Sequence, residues 1–251
     1  MALNITQVLP FITAQQPVIA PNTAPTITLL QFNLCCPHND DHRRIIDFIN
    51  QRQPDLVVFS EVNQSWKQAI EAGLIDYPYR KVQATDDGVA LFSRLPLSDI
   101  QVKFFGPTQR PRIQAVVEKG EKRILIIAAH PIVPKWLTIR NAEFDAIARD
   151  ARMSSLPVVV AGDMNCTQFS VYFSKFLSDS GLHDSQLGYG IQSSWPSEFP
   201  FTPFLPLDHY LLSDELTSVR SQTGPFVGSD HLPVYAEIAI SGNPKVVSAS
   251  R

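Results

Sequence analysis

Four apolar runs in this chain end on a polar side chain able to do chemistry, and that repeated grammar restricts the fold more than any other feature. They are Ile27-Thr28-Leu29-Leu30-Gln31-Phe32-Asn33, Asp55-Leu56-Val57-Val58-Phe59-Ser60-Glu61, Ile124-Leu125-Ile126-Ile127-Ala128-Ala129-His130 and Val158-Val159-Val160-Ala161-Gly162-Asp163-Met164-Asn165. A fifth run, Leu205-Pro206-Leu207-Asp208-His209-Tyr210-Leu211-Leu212, carries Asp208 near its start instead. Apolar runs this short, rich in β-branched residues, read as buried strands. If the backbone stays extended, Asp163 and Asn165 point to one face, because strand side chains alternate with period 2. One polar strand end is commonly just the start of a loop. Five of them in one chain point to a shared site.

A further motif is Gly228-Ser229-Asp230-His231-Leu232-Pro233, a carboxylate beside an imidazole at a glycine-bearing turn before an apolar strand. Packing gives no reason for that pairing, and it reads as half of an active site. Between the runs the sequence shows helical periodicity. Residues 40–52 place Ile45, Ile46 and Ile49 on one face before Pro54, and residues 139–151 turn Phe144, Ile147 and Ala148 inward. Residues 170–180 carry Val171, Phe173, Phe176 and Leu177 and stop at Gly181. Helices alternating with buried strands make this an α/β chain.

With 251 residues, 44% of them hydrophobic, the chain is long enough for one packed domain of the larger α/β type. The expected organisation is an extended, proline-bearing lead-in over 1–25, one domain over 26–241 and a disordered tail over 242–251. Lys and Arg number 21 against 24 Asp and Glu, a net charge of -3, and no basic run forms the stripe of a duplex-binding surface. The three cysteines, Cys35, Cys36 and Cys166, have neither framework nor CxxC spacing, so free thiols are expected rather than a disulfide scaffold or a zinc site. The first 25 residues show no cationic start with a long apolar run, as a secretory signal has, and no apolar stretch of membrane-helix length.

Taken in order, Asn33, Glu61, His130, Asp163-x-Asn165, Asp208 and Ser229-Asp230-His231 resemble the endonuclease/exonuclease/phosphatase superfamily, with its deoxyribonuclease I-like fold. The likeness spans residues 27 to 240 and rests on order as well as identity. Gly88-Val89-Ala90-Leu91-Phe92-Ser93-Arg94 resembles the family's central strand, and Ser194-Trp195-Pro196 resembles a bacterial branch often built as membrane-anchored proteins. The resemblance implies two packed mixed β-sheets flanked by helices, an α+β four-layer sandwich within the α/β class. It also implies that the lead-in joins the domain to a membrane-anchored parent. This scaffold hosts nucleases, sphingomyelinases and inositol-phosphate phosphatases, so the fold does not choose the substrate.

Cleaving a phosphate ester requires a catalyst to neutralise charge, aim a water in line and stabilise the leaving oxygen. Hard oxygen ligands suit Mg²⁺, held by one or two carboxylates plus the substrate phosphate. By the resemblance, Glu61 and Asp230 hold Mg²⁺, or Mn²⁺ in its place, while Asn33 adds a neutral oxygen or orients Glu61. His231 is expected beside the phosphate with Asp208 holding its ring, Asp163 as activator of the attacking water, and Asn165 and His130 as donors to non-bridging oxygens. Which carboxylate takes the proton stays open. Cys35 stands where many nuclease members carry a second metal-associated carboxylate, and a soft thiol matches Mg²⁺ poorly. The chain also has His130 where abasic-site nucleases place a Tyr, which points away from repair endonuclease activity.

Other reactive-looking residues have plainer readings. His38, Asp40, Asp41 and His42 read as a helix cap with acidic first-turn residues rather than a metal cluster. Arg110 and Arg112 read as surface cations, and His209 as structural. Trp136, Trp195, Phe199, Phe201 and Phe204 read as core packing before an apolar rim. The expected function is a divalent-metal-dependent phosphoesterase that hydrolyses a phosphodiester of nucleic acid, a lipid head group or a small diester by direct water attack, acting as a monomer. A phosphomonoesterase of the same fold and a catalytically silent phosphate-binding module are the alternatives.

Overall fold

The computed structural model describes residues 9, 11, 24–35, 38–197 and 205–240. The expected tail over 242–251, Phe199, Phe201, Phe204 and Cys36 lie outside the described residues. One sheet is built from β1 (Thr26–Asn33), β2 (Leu56–Ser60), β3 (Tyr79–Gln83), β4 (Val89–Ser93), β11 (Leu216–Thr223) and β12 (Val234–Ile240), in the order β11-β12-β1-β2-β4-β3. The other contains β5 (Leu97–Phe104), β6 (Pro111–Lys119), β7 (Lys122–Ala129), β8 (Val158–Asp163), β9 (His183–Asp184) and β10 (Asp208–Leu212), in the order β5-β6-β7-β8-β10-β9. Each has one parallel pair near its centre, β1 with β2 and β7 with β8. A parallel pair needs a crossover. Helix α1 (His42–Arg52) lies in the first and, after a 3₁₀ turn at Pro134–Trp136, α3 (Leu137–Arg152) in the second.

Helix starts follow from capping chemistry. Asp41 caps α1 by accepting from Arg44 N–H at 3.2 Å, which accounts for Asp41 in the His38–His42 stretch, although no acid stands in the first turn. Asn63 caps α2 (Gln64–Gly73) through Trp66 N–H at 2.9 Å, and Trp66 and Ile70 are buried; the sequence reading had not anticipated this helix. Ser170 caps α4 (Val171–Ser180), which ends at Gly181 in left-handed backbone, φ 70°. Val171 is 69% exposed, in contrast to the apolar set in which it was expected. It precedes Phe173 by two residues, about 200° around the helix, so it faces away from the sheet.

The two sheets pack face to face through Ile27, Leu29, Val58, Ile113, Ile126, Val159 and Tyr210. Their alternate residues turn outward. Leu30, Phe32, Val57 and Phe59 meet Ile45, Ile49, Trp66 and Ile70 of α1 and α2, while Ile127 and Val160 meet Phe144, Ile147, Phe173 and Phe176 of α3 and α4. Strands covered on both faces read as unbroken apolar runs rather than alternating ones. Each fully buried Leu, Ile, Val or Phe contributes roughly 1.5–3 kcal/mol. The layers are helices, sheet, sheet and helices, the expected four-layer sandwich. β4, expected as a central strand, lies second from one edge between β2 and β3, and is buried because it too is covered on both faces.

Strand direction explains where the reactive residues stand. Asn33, Glu61, His130 and Asp163 are at or just after the ends of β1, β2, β7 and β8. β10 runs antiparallel to β8 and pairs Asp208 with Asp163, and β12 runs antiparallel to β1 and pairs Val234 with Gln31. A reversed strand begins where its neighbour ends. Asp208 and the Ser229–His231 turn therefore reach, from strand starts, the edge that the other side chains reach from strand ends. Of the lead-in, Leu9 and Phe11 have helical backbone, and Phe11 is buried against Phe169 with ring centroids 6.0 Å apart. No described helix is long and apolar enough to cross a membrane.

Candidate active site

Asn33 joins the two sheets. Its Nδ2 donates to Glu61 Oε1 at 3.2 Å and to Asp163 Oδ2 at 3.0 Å, and its Oδ1 accepts from Cys35 N–H at 2.9 Å. The amide must present its nitrogen to two carboxylates, since the flipped form would set oxygen against oxygen. Of the two roles expected for Asn33, these bonds show the orienting one. Cys35, Glu61 and Asn165 have φ of 52°, 57° and 47°, three of the six described non-glycine residues with positive φ. Such backbone costs on the order of 1 kcal/mol or more each, and here it bends the chain sharply where these residues leave β1, β2 and β8. Gly162 allows the close approach of β7 and β8, because a Cβ there would lie 1.9 Å from Ala129 O.

Behind this floor is a sealed set of side chains. Asp208 accepts from His231 Nδ1 at 2.7 Å, and His231 Nε2 lies 3.7 Å from Asp163 Oδ2. Asp163 is also 3.6 Å from His130 Nε2 and accepts from Asn165 N–H at 2.8 Å. Ser229 Oγ donates to Asn33 O at 2.7 Å and accepts from His231 N–H at 3.1 Å, tying the turn to the end of β1. Asn165 donates its amide hydrogens to Pro131 O at 3.0 Å and to His130 Nε2 at 3.1 Å. Both are thus used, so the part expected of Asn165, donation to a phosphate oxygen, is not what this geometry offers. It fixes the His130 ring instead, which leaves that ring's proton on Nδ1.

Burial and charge set the protonation states. Burial pulls His231 down, but the charges of Asp208 and Asp163 outweigh it and raise the ring to about 10, so it is imidazolium at neutral pH. Burial pushes Asp208 up, yet the imidazolium beside it brings it below the usual carboxylate value. Asp163 is raised to about 6 by burial, with Asp208 adding and His231 opposing. His130 falls well below its ordinary value through burial and the charges of Arg110 and His231, and is neutral.

A second group is more open. Glu61 and Asp230 are held by the neutral donors Asn33 and Trp195, the indole Nε1 donating to Asp230 Oδ2 at 3.0 Å. Burial raises Glu61, with the charges of Asp230 and Asp87 adding to it. The Cys35 thiol is pushed up to about 12 by burial and by Asp230, so it stays protonated. Cys35 and Cys166 are free thiols.

Arg110 and Arg112, expected on the surface, are both 7% exposed. Arg110 donates to His130 O at 3.2 Å and pairs with Asp87, while Arg112 pairs with Asp150 at 2.8 Å and lies over Phe105. Acids from distant segments neutralise both. Trp136 is 51% exposed rather than packed in the core. His209 is buried against Asp184 at 3.3 Å and the carbonyls of Cys166 and Pro206, and does not line the cavity. The sequence reading missed Arg140 of α3, buried on Phe144 and Tyr172, whose Nη1 donates to Asn165 O at 3.0 Å.

Glu61, His130, Asp163, Asn165, Asp230 and His231 all line one cavity of about 410 Å³, with Asn33 and Asp208 bonded just behind it. Asp87, Arg110, Val133, Pro134, Trp195, Leu205 and Leu207 complete the lining. Among the described residues, one group has the spacing to hold a metal ion, Asp163, Asp208 and His231, with ligand atoms within 4.8 Å of one another. His231 Nδ1 is already committed to Asp208 and the ring carries positive charge, so this set is a charge-paired cluster more readily than a cation cage. Glu61 and Asp230 present carboxylate oxygens with only neutral donors, the chemistry a hard divalent cation takes.

The family profile described as Endonuclease/Exonuclease/phosphatase family matches residues 30–231. No curated protein matches the sequence. Among solved structures, D. rerio TDP2 complexed with single strand DNA product superposes with a TM-score of 0.74 at 14% identity, covering 85% of this chain and 98% of that one. The endonuclease/exonuclease/phosphatase from Bacteroides vulgatus gives 0.72 at 16% identity, covering 86% and 100%. The one from Beutenbergia cavernae gives 0.70 at 17% identity, covering 86% and 72%. At these identities the likeness to each is one of fold.

Proposed function

Because this chain belongs to the endonuclease/exonuclease/phosphatase family, we propose that it hydrolyses a phosphodiester, with a divalent cation held by Glu61 and Asp230 and with water as the nucleophile. The observation that carries this reading is the buried line Asp208–His231–Asp163, which reaches the same cavity as two carboxylates held by neutral donors. A cation bound there supplies charge neutralisation of the phosphate and stabilises the leaving oxygen. His231, locked by Asp208, offers its Nε2–H to a non-bridging oxygen. Asp163 takes the proton of the attacking water; its carboxyl, raised to about 6, is nearer a working base at neutral pH than an ordinary Asp. As the water oxygen bonds to phosphorus, the ester oxygen leaves on the opposite side. Asn33 holds Glu61 and Asp163 at fixed separation through one amide.

Hydrolysis of bis(p-nitrophenyl) phosphate and p-nitrophenyl phosphate, with Mg²⁺, with Mn²⁺ and with EDTA, tests the reading. The diester is cleaved with either metal, EDTA stops it, and His231→Ala loses at least about 100-fold in rate. Metal binding without turnover of either ester would favour a silent binding module.

A further inference from the structure

The polar groups of the site share their cavity with an apolar lining of Val133, Pro134, Trp195, Leu205 and Leu207. Val133 and Leu205 are 43% and 40% exposed, and after Pro134 come the exposed Lys135, whose Nζ lies 5.8 Å from the Trp136 ring, and then Trp136 and Leu137, 51% and 43% exposed. Large apolar side chains left uncovered beside reactive groups mark a place where a ligand completes the burial. Arg110 is the one Lys or Arg among the described lining residues, and it is already bound to Asp87 and to His130 O. A polynucleotide brings further phosphates on both sides of the one being cleaved and binds largely through cations that meet them. The described lining has no uncommitted cation to meet them, and the one beside it, Lys135, lies over the Trp136 ring.

We infer that the apolar lining is a subsite for the ester group that stays on the phosphate, so that the substrate is a phosphodiester with an aliphatic chain rather than a polynucleotide. The inference rests on the hydrolase reading above and deepens it. The phosphate sits against His231 and Asp163, and its aliphatic group runs along Leu207, Leu205 and Val133 toward solvent.

The experiment uses p-nitrophenyl alkyl phosphates from methyl to octyl with Mg²⁺, so that leaving group and chemistry stay constant while the chain grows. In the unmodified protein kcat/KM rises by up to about fourfold for each methylene the subsite covers. In Leu205→Ser and Val133→Ser, both at partly exposed positions, the octyl-to-methyl ratio drops several-fold. A flat series with turnover would overturn the subsite and leave the hydrolase intact, as would an unchanged ratio in both variants. Cleavage of thymidine 5′-(p-nitrophenyl phosphate) ahead of the octyl ester would overturn it in favour of nucleic acid. Absence of turnover on every ester would sink the hydrolase reading instead. Calorimetric binding of octyl and methyl methylphosphonate then decides the subsite: tighter octyl binding that weakens in Leu205→Ser upholds it, and equal binding overturns it.

Discussion

The two halves of the cavity are built in opposite ways. His130, Asp163, Asn165, Asp208 and His231 are each at most 9% exposed and are bonded to one another or to backbone. Glu61, Asp87, Asp230 and Cys35 are all partly exposed, and the charges of Asp230 and Asp87 add to burial in raising Glu61, as that of Asp230 does for the Cys35 thiol. Buried polar networks rigidify a site only when their members are satisfied. The sealed half meets most of that condition from within the protein, with His130 Nδ1 and Asp208 Oδ1 the side-chain atoms left without a described partner. The open half leaves like charges adjacent where a ligand from outside can complete them. The first fixes positions, and the second is where the proposed function places a cation.

Breaking the sealed half has the largest expected effect. Asp163→Asn and Asp208→Asn each lower kcat by about 10³-fold or more in steady-state kinetics. Asp208→Asn also removes the counter-charge of a buried imidazolium, costing about 3–5 kcal/mol, a fall in Tm on the order of 10 °C by thermal denaturation. Glu61→Gln strikes the open half instead. The Mg²⁺ concentration for half-maximal rate rises on the order of tenfold or more, and Mg²⁺ no longer raises Tm as it does in the unmodified protein. In EDTA the variant melts with the unmodified protein, because a partly exposed charge beside like charges adds no stability. If Glu61→Gln unfolds the protein while Asp208→Asn only weakens metal binding, the two halves have been assigned the wrong way round.

Titration sharpens the same contrast. The rate falls on the acid side with an apparent pKa of about 6, as Asp163 gains its proton. Its folded pKa lies above the ordinary value of 3.8, so its stabilising share is complete below 3.8 and is lost as pH rises through about 6. Activity and this group's share of stability therefore change in opposite directions over that window. Rate profiles, together with Tm of Asp163→Asn against the unmodified protein across pH, check both. The smallest effect is expected at Arg140→Met, which releases the Asn165 carbonyl: kcat drops about tenfold with KM held, since the change disturbs position rather than contact with substrate.

Side chains that strands carry to the edge were legible in the sequence, and those brought to them from elsewhere were not. Asn33, Glu61, His130, Asp163 and Asn165 stand out because each ends an apolar run, and Asp208 broke the pattern only because β10 runs backwards beside β8. Arg110 and Arg112 looked like surface cations because Asp87 and Asp150, which neutralise them, lie 23 and 38 residues away. Arg140 resembled any helical cation; its one signal was its place on the face of Phe144 and Ile147, at i, i+4 and i+7. Helix α2 had a signal in the Asn63 cap and the Trp66–Ile70 spacing, but two large apolar residues make a faint stripe. β3 and β5 are half-exposed edge strands without alternation, so no period marks them. The pairing of two sheets was carried by the family resemblance, since strands buried on both faces look alike whichever sheet they join.

Anomalous diffraction from crystals soaked in Mn²⁺ tests the division of the cavity most directly. The account predicts a peak coordinated by the carboxylates of Glu61 and Asp230, with His231 Nδ1 still bonded to Asp208. A peak coordinated by Asp163, Asp208 and His231, with Glu61 and Asp230 free, would contradict it.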